Sequence, residues 1–176
     1  MKKLVLSMMV AVCGLTAVNA QEGLKASAHI GAVIGDATEV FGFNIGADAT
    51  YLYPVMDNLH IGGKVGLEMF SGKSIPDSNA KYKGLTLIPV TASAQFDITE
   101  EFFAAADVGY ALSINNDYDG GFYFMPKGGW QNEDFQVFAF LKGISSKIDR
   151  KLDLGETTVR GFSNTMAIGI GGAYKF

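Results

Sequence analysis

From Leu24 to Phe176 the apolar residues of this chain fall mainly at every second position, and Gly, Asp and Asn interrupt the pattern every 10 to 20 residues or so. Period two is the repeat of a strand. The pattern does not relax at the end of the chain. Met166, Ile168, Ile170, Tyr174 and Phe176 share one parity, while Thr165, Gly169, Gly171, Ala173 and Lys175 share the other. Terminal residues ordinarily fray unless something ties them down, so an aromatic ring at the last position needs a surface that buries it.

The alternation divides into eight strands, over residues 24–34, 41–53, 59–71, 84–98, 102–114, 121–131, 135–146 and 161–176. Their connections sort by length. PVMDN, TEE and NED are short, whereas GDATEV, GKSIPDSNAKYK, NNDYDGG and KIDRKLDLGETTVR are longer and fall on the other side. An even strand number with short turns at one end and long loops at the other is the pattern of a single-chain transmembrane barrel.

The two faces of each strand strengthen this reading. One parity contains no charge: Leu24, Ala26, Ala28, Ile30, Ile34; Phe41, Phe43, Ile45, Tyr51, Tyr53; Leu59, Ile61, Val65, Leu67, Met69; Ile88, Val90, Ala92, Phe96; Phe102, Val108, Tyr110, Leu112; Phe122, Phe124, Trp130; and Phe162 with the terminal set. The other parity holds Lys25, His29, Asp48, His60, Lys64, Glu68, Asp97, Asp107, Lys127 and Lys175. Apolar outside and polar inside suits a barrel in lipid. A soluble lipocalin-like barrel, the contrary reading, would reverse the faces.

Aromatic residues gather at strand ends. Tyr51, Tyr53, Phe96, Phe102, Trp130, Phe135, Tyr174 and Phe176 fall toward the short-turn end, and Phe41, Phe43, Tyr110, Phe122, Phe124 and Phe162 toward the other. Two girdles at headgroup level are expected of such rings. Pro89 and Pro126 fall inside strands, where a missing donor predicts bulges. In FQVFAFLKGIS, sending Phe135, Val137, Ala139 and Leu141 outward places Phe138 and Phe140 in the lumen, whereas the reverse exposes Lys142 to lipid. A bulge or a lumenal aromatic plug would resolve that conflict.

The first 20 residues set the compartment. Lys2 and Lys3 precede an apolar stretch from Leu4 to about Val18, and Val18, Asn19 and Ala20 form a small-x-small site before Gln21. This is the three-part pattern of a secretory signal, too short for a spanning helix of ~20 residues. Residues 1–20 are therefore read as the signal and 21–176 as the barrel domain. Cleavage leaves 12 Lys+Arg against 18 Asp+Glu, an acidic balance that disfavours nucleic acid as a partner. Cys13 departs with the signal, so the mature chain has neither disulfide nor thiol ligand.

The terminal Tyr174-x-Phe176 resembles the C-terminal signal read by the outer-membrane barrel assembly machinery, and LTLIPVTASAQF and GIGGAYKF resemble the small outer-membrane β-barrel proteins, broadly OmpX-like or porin-like. The resemblance implies an all-β fold, a single eight-stranded antiparallel up-and-down transmembrane barrel in the cell outer membrane. It also implies contact with outer-membrane lipid and lipopolysaccharide, a monomer, and no shared catalytic residues.

Within so narrow a barrel the interior is filled by side chains. Lys25, Lys64 and Lys127 are expected to pair there with Asp48, Glu68 and Asp107, with His29 and His60 as hydrogen-bonding partners. No catalytic, cofactor or metal site is expected. Some barrels of this resemblance act on lipid A, but neither histidine falls at the outer rim where such a site belongs. Asn115, Asp117, Asp119 and Gly120 match the opening of an EF-hand, yet Pro126 stands where its bidentate Glu is required, so a hairpin turn is the reading. The last loop mixes Lys147, Asp149, Arg150, Lys151, Asp153, Glu156 and Arg160, a solvated surface or a contact for lipopolysaccharide phosphates or an extracellular partner. The expected role is structural, surface-interacting or envelope-maintaining, with a narrow channel and a lipid A-modifying enzyme as alternatives. Intact-mass measurement on protein purified from outer membranes should find a chain that begins at Gln21; a mass that retains residues 1–20 would contradict the signal reading.

Overall fold

In the computed structural model, eight strands close on themselves in sequence order: β1 Leu24–Ile34, β2 Phe41–Met56, β3 Leu59–Gly72, β4 Leu85–Asp97, β5 Phe102–Ser113, β6 Gly121–Gln131, β7 Phe135–Lys151 and β8 Thr158–Lys175. Residues 23–74, 82–114, 120–151 and 158–176 are described, without side chains for 146–151 and 158–163. Every neighbouring pair is antiparallel, and β1 pairs with β8 from Lys25↔Lys175 to Ile34↔Met166. A closed sheet has no edge and leaves no ladder unpaired.

The stagger of the barrel follows from its pairings. Leu24 faces Tyr51, and the line continues through Gly63, Ala92, Val108, Phe124, Gly143 and Met166 to return on Ile34, ten positions further along β1. Ten residues at ~3.3 Å, spread over eight strands spaced ~4.8 Å apart, incline the strands by about 40°.

Outward-facing side chains form a continuous apolar belt. Ile30, Ile45, Val65, Val90, Val108, Leu112, Ile168 and Ile170 are all about half exposed, with Ile170 at 64%. At the short-turn end, Phe135 meets Tyr174 edge-on at 5.2 Å and Tyr174 meets Phe176 at 4.9 Å. Phe102 pairs there with Trp130, Phe96 with Leu59, and Tyr53 with Ile61. The Phe176 amide donates to Leu24 O at 2.9 Å, tying the last residue to the first strand.

Several expectations need correction. Phe41 does not face outward: it is 5% exposed and packs on Phe70 at 5.7 Å, because the β2–β3 register shifts between Phe41 and Asn44. A second shift lies between Pro54 and Met56. Neither Pro89 nor Pro126 marks a bulge. Each keeps register on its β5 side, with Ala111 and Ala106 respectively. On the other side the ladder omits the pairs around the proline and resumes unshifted. The missing donor is thus confined to one flank of each proline. Phe138 and Phe140 point inward at 3% exposure each, so β7 adopts the lumenal plug rather than a bulge.

The last loop is largely strand. Pairing continues through Ser146↔Ser163 to Lys151↔Thr158, which places Lys147, Asp149, Arg150 and Lys151 on β7 and Arg160 on β8. Asp153 and Glu156 lie outside the described residues, as do residues 1–20 with the signal and residues 115–119 with the EF-hand-like run. The loop GDATEV contains a 3₁₀ turn, Gly35–Glu39, that buries Ala37.

A charge on the belt should be costly. Replacing Ile170 with Arg is expected to destabilise the barrel by about 2–4 kcal/mol if that position lies at the bilayer midplane, measured by urea unfolding in lipid vesicles; a change under about 1 kcal/mol would place it in water or at the interface.

Candidate functional site: the lumenal polar network

Read from the short-turn end, the polar and charged lumenal side chains of β2, β3 and β4 give way to hydrocarbon at the long-loop end. On β4 the order is Gln95, Ser93, Thr91, Leu87, Leu85; on β3 His60, Lys64, Glu68, Phe70; on β2 Thr50, Asp48, Asn44, Phe41. Gln95, Ser93, Thr91, Leu87 and Leu85 are all at most 6% exposed. The lumen is therefore filled rather than open.

At its centre Lys142 contacts both oxygens of Glu68 at 2.7 Å and donates to Asn44 Oδ1 at 2.8 Å. Glu68 also accepts from Asn44 Nδ2 at 2.8 Å and from the Tyr123 hydroxyl at 3.1 Å. Lys142 and Asp107 are 0% exposed and Glu68 is 1% exposed. Ions so far from water persist only when paired and hydrogen-bonded. A Cβ at Gly46 would collide with His29 Nε2 and stand 2.7 Å from Glu68 Oε2, so a bare backbone is required where these two side chains cross.

A second knot forms around Asp107. Its Oδ2 lies 2.8 Å from Lys64 Nζ and 2.9 Å from Lys127 Nζ, while Ser93 donates to Oδ1 at 2.7 Å. Asp48 joins the two knots: Ser27 donates to it at 2.6 Å, Lys64 stands 3.9 Å away, and His29 Nδ1 is 3.4 Å away. Three lysines thus face three carboxylates, yet Asp107 holds two ammonium groups and Asp48 has only a distant one. The charges balance over the cluster and not within pairs.

His29 sits where these demands meet. Lys142 Nζ and Glu68 Oε1 both approach its Nε2, at 2.8 and 3.0 Å. An ammonium only donates and a carboxylate only accepts, so that nitrogen satisfies one of them at a time. With Nε2 accepting from Lys142, the ring proton lies on Nδ1 toward Asp48; with Nε2 protonated, it serves Glu68 and faces the ammonium. Phe140 packs edge-on to the ring at 5.2 Å, and its own face attracts the Lys142 ammonium, 4.9 Å from the ring centre.

Nearer the short-turn end Gln95, Gln131 and Gln136 exchange amide hydrogen bonds of 2.8 to 3.4 Å, and Gln95 and Gln131 both donate to Asp97. Lys25 donates to Gln95 Oε1 at 2.7 Å. His60 Nδ1 is 3.4 Å from Asp97 Oδ2. Lys25 and His60 therefore belong to this outer layer, and His29, Asp48, Lys64, Glu68, Asp107 and Lys127 to the central one. Tyr51, Tyr53, Phe96, Trp130, Tyr174 and Phe176 lie on the opposite face of their strands and take no part in the network. Lys142, Asn44, Tyr123 and the three glutamines were not singled out from the sequence. For Lys142 the signal was the conflict within β7; the others carry no charge and share their parity with apolar lumenal residues.

No family model matches the chain, and no curated protein matches it. Among solved structures the chain is similar to Ail, the attachment invasion locus protein of Yersinia pestis, at 15% identity with a TM-score of 0.51, covering 89% of this chain and 100% of that one. A looser superposition is found with outer membrane protein W of E. coli, at 15% identity and TM-score 0.43, covering 90% of this chain and 100% of that one. The likeness to Ail is one of fold: the chain has the architecture of the small eight-stranded outer-membrane barrels.

Removing Lys142 would strand Glu68 in the lumen. Lys142→Met is expected to cost about 3–5 kcal/mol, and Lys142→Met with Glu68→Gln less than the sum of the two single changes. Urea unfolding followed by the fluorescence of Trp130, the single tryptophan, would measure both; strict additivity would mean that the two groups do not interact.

Proposed function

We propose that this chain is an outer-membrane barrel protein with a sealed lumen, acting in envelope maintenance or surface interaction rather than in solute passage or catalysis. The observation that carries the reading is the filled interior: Lys64, Glu68, Asp107 and Lys142 are at most 3% exposed, and Phe41, Phe70, Leu85 and Leu87 cover them toward the long-loop end. The apolar belt supports a bilayer as the surrounding solvent. In this reading residues 1–20 direct export and are removed, and the short turns face the periplasm. Tyr174 and Phe176 present the assembly machinery with an aromatic terminus. The long-loop end faces lipopolysaccharide, and Arg150, Lys151 and Arg160 on the β7–β8 hairpin are the cations placed to meet its phosphates or an extracellular partner. The barrel works as a monomer without a cofactor.

Planar bilayer recording tests the central claim. The purified protein, checked for folding by its faster migration when unboiled, is expected to give a flat current at moderate voltage; reproducible conductance steps would overturn the sealed lumen and favour a narrow channel. Mass spectrometry of lipid A should find no difference between expressing and non-expressing cells, and a new acyl or phosphate change would establish an enzyme instead.

A further inference from the structure

The short-turn end of the lumen holds a recess of about 270 Å³, several times the ~30 Å³ share of one water. Its wall includes Lys25, Lys175, His60, Asp97, Gln95 and Gln131. Lys25 and Lys175 stand directly opposite each other on β1 and β8. Like charges placed across an antiparallel pair repel.

In the centre of the barrel Lys64, Lys127 and Lys142 each have a carboxylate within 2.9 Å. The recess lacks that balance. Asp97, the one carboxylate in its wall among the described residues, already accepts from Gln95 and Gln131 at 2.7 and 3.1 Å. Lys25 donates to a neutral amide at 2.7 Å, and Lys175 forms no ion pair among the described residues. His60 Nδ1 is shielded from solvent and stands 3.4 Å from Asp97 Oδ2, so it faces that carboxylate. Two cations therefore border one cavity whose single carboxylate among the described residues already accepts from two amides and faces His60.

We infer that this recess is an anion site for a small free phosphate compound, held by the ammonium groups of Lys25 and Lys175. A phosphate group carries about 1.5 to 2 negative charges near neutral pH, which suits two lysines. A free solute fits better than a lipid headgroup, because both lysines project to the lumenal face and the acyl chains lie against the other. The inference rests on the barrel geometry and not on the compartment the recess faces.

The test uses the purified protein refolded in phosphatidylcholine vesicles, with inorganic phosphate as the probe in equilibrium dialysis at constant ionic strength set by chloride. Saturable binding is expected, weakened at least tenfold in Lys25→Gln/Lys175→Gln. That variant should retain heat-modifiable migration and an unfolding midpoint, without phosphate, no lower than the parent's, since the substitutions remove a repulsion. Phosphate should then raise the midpoint of the parent and not of the variant. Absence of saturable binding to the parent, or equal binding by the folded variant, would overturn the site. Binding that requires phosphatidylglycerol in the vesicle and is absent with inorganic phosphate would overturn the solute reading in favour of a lipid headgroup.

Discussion

Closure of β1 on β8 is the condition on which the other features of this molecule depend. A sheet of eight strands left open would present two rows of unpaired amides and carbonyls, which hydrocarbon cannot satisfy. The ten pairs from Lys25↔Lys175 to Ile34↔Met166 remove those rows. Closure also divides every strand into an outer face that meets the surroundings and an inner face that meets only the other strands. Once the barrel is sealed, a lumenal side chain must find its partners on that inner wall, however far apart in sequence they lie.

The polar network follows from this confinement. Lys142 is 113 residues from His29, 98 from Asn44 and 74 from Glu68, yet all three lie within 3 Å of its ammonium group. The local dielectric is low, so each such contact is strong and each unpaired group would be costly. Such networks do not by themselves imply high stability, since desolvation offsets much of the attraction. Their consequence is specificity: moving one strand by a single residue would exchange its lumenal charges for its outward hydrocarbon.

The two ends of the lumen differ in kind. Toward the long-loop end Phe41, Phe70, Leu85 and Ala37 form a dry lid, supported by the 3₁₀ turn between β1 and β2. Toward the short-turn end the interior grades into glutamine amides and then into the lysine-lined recess. A barrel filled this way is closed on one side by hydrocarbon and lined by polar groups on the other. That asymmetry is what separates the central network, whose charges are matched, from the recess, whose charges are not.

Strand number, the approximate place of each strand and the inner and outer parity of nearly every residue were determined by the sequence alone, because a period of two is a local property and charge does not share a face with lipid-exposed hydrocarbon. Tyr51, Val90 and Ile170 outside, and His29, Lys64 and Asp107 inside, are legible from their neighbours two positions away. Only the tertiary structure decided the ten-residue stagger, because stagger is a relation among all eight strands and no single strand encodes it. It likewise decided that Phe41 turns inward after a register shift and that the β7–β8 hairpin continues past the rest of the barrel. Lys142 became the centre of the network for the same reason. Which carboxylate a lysine meets across a lumen depends on strand tilt and on the glycines that let side chains cross, and those are fixed only when the sheet closes.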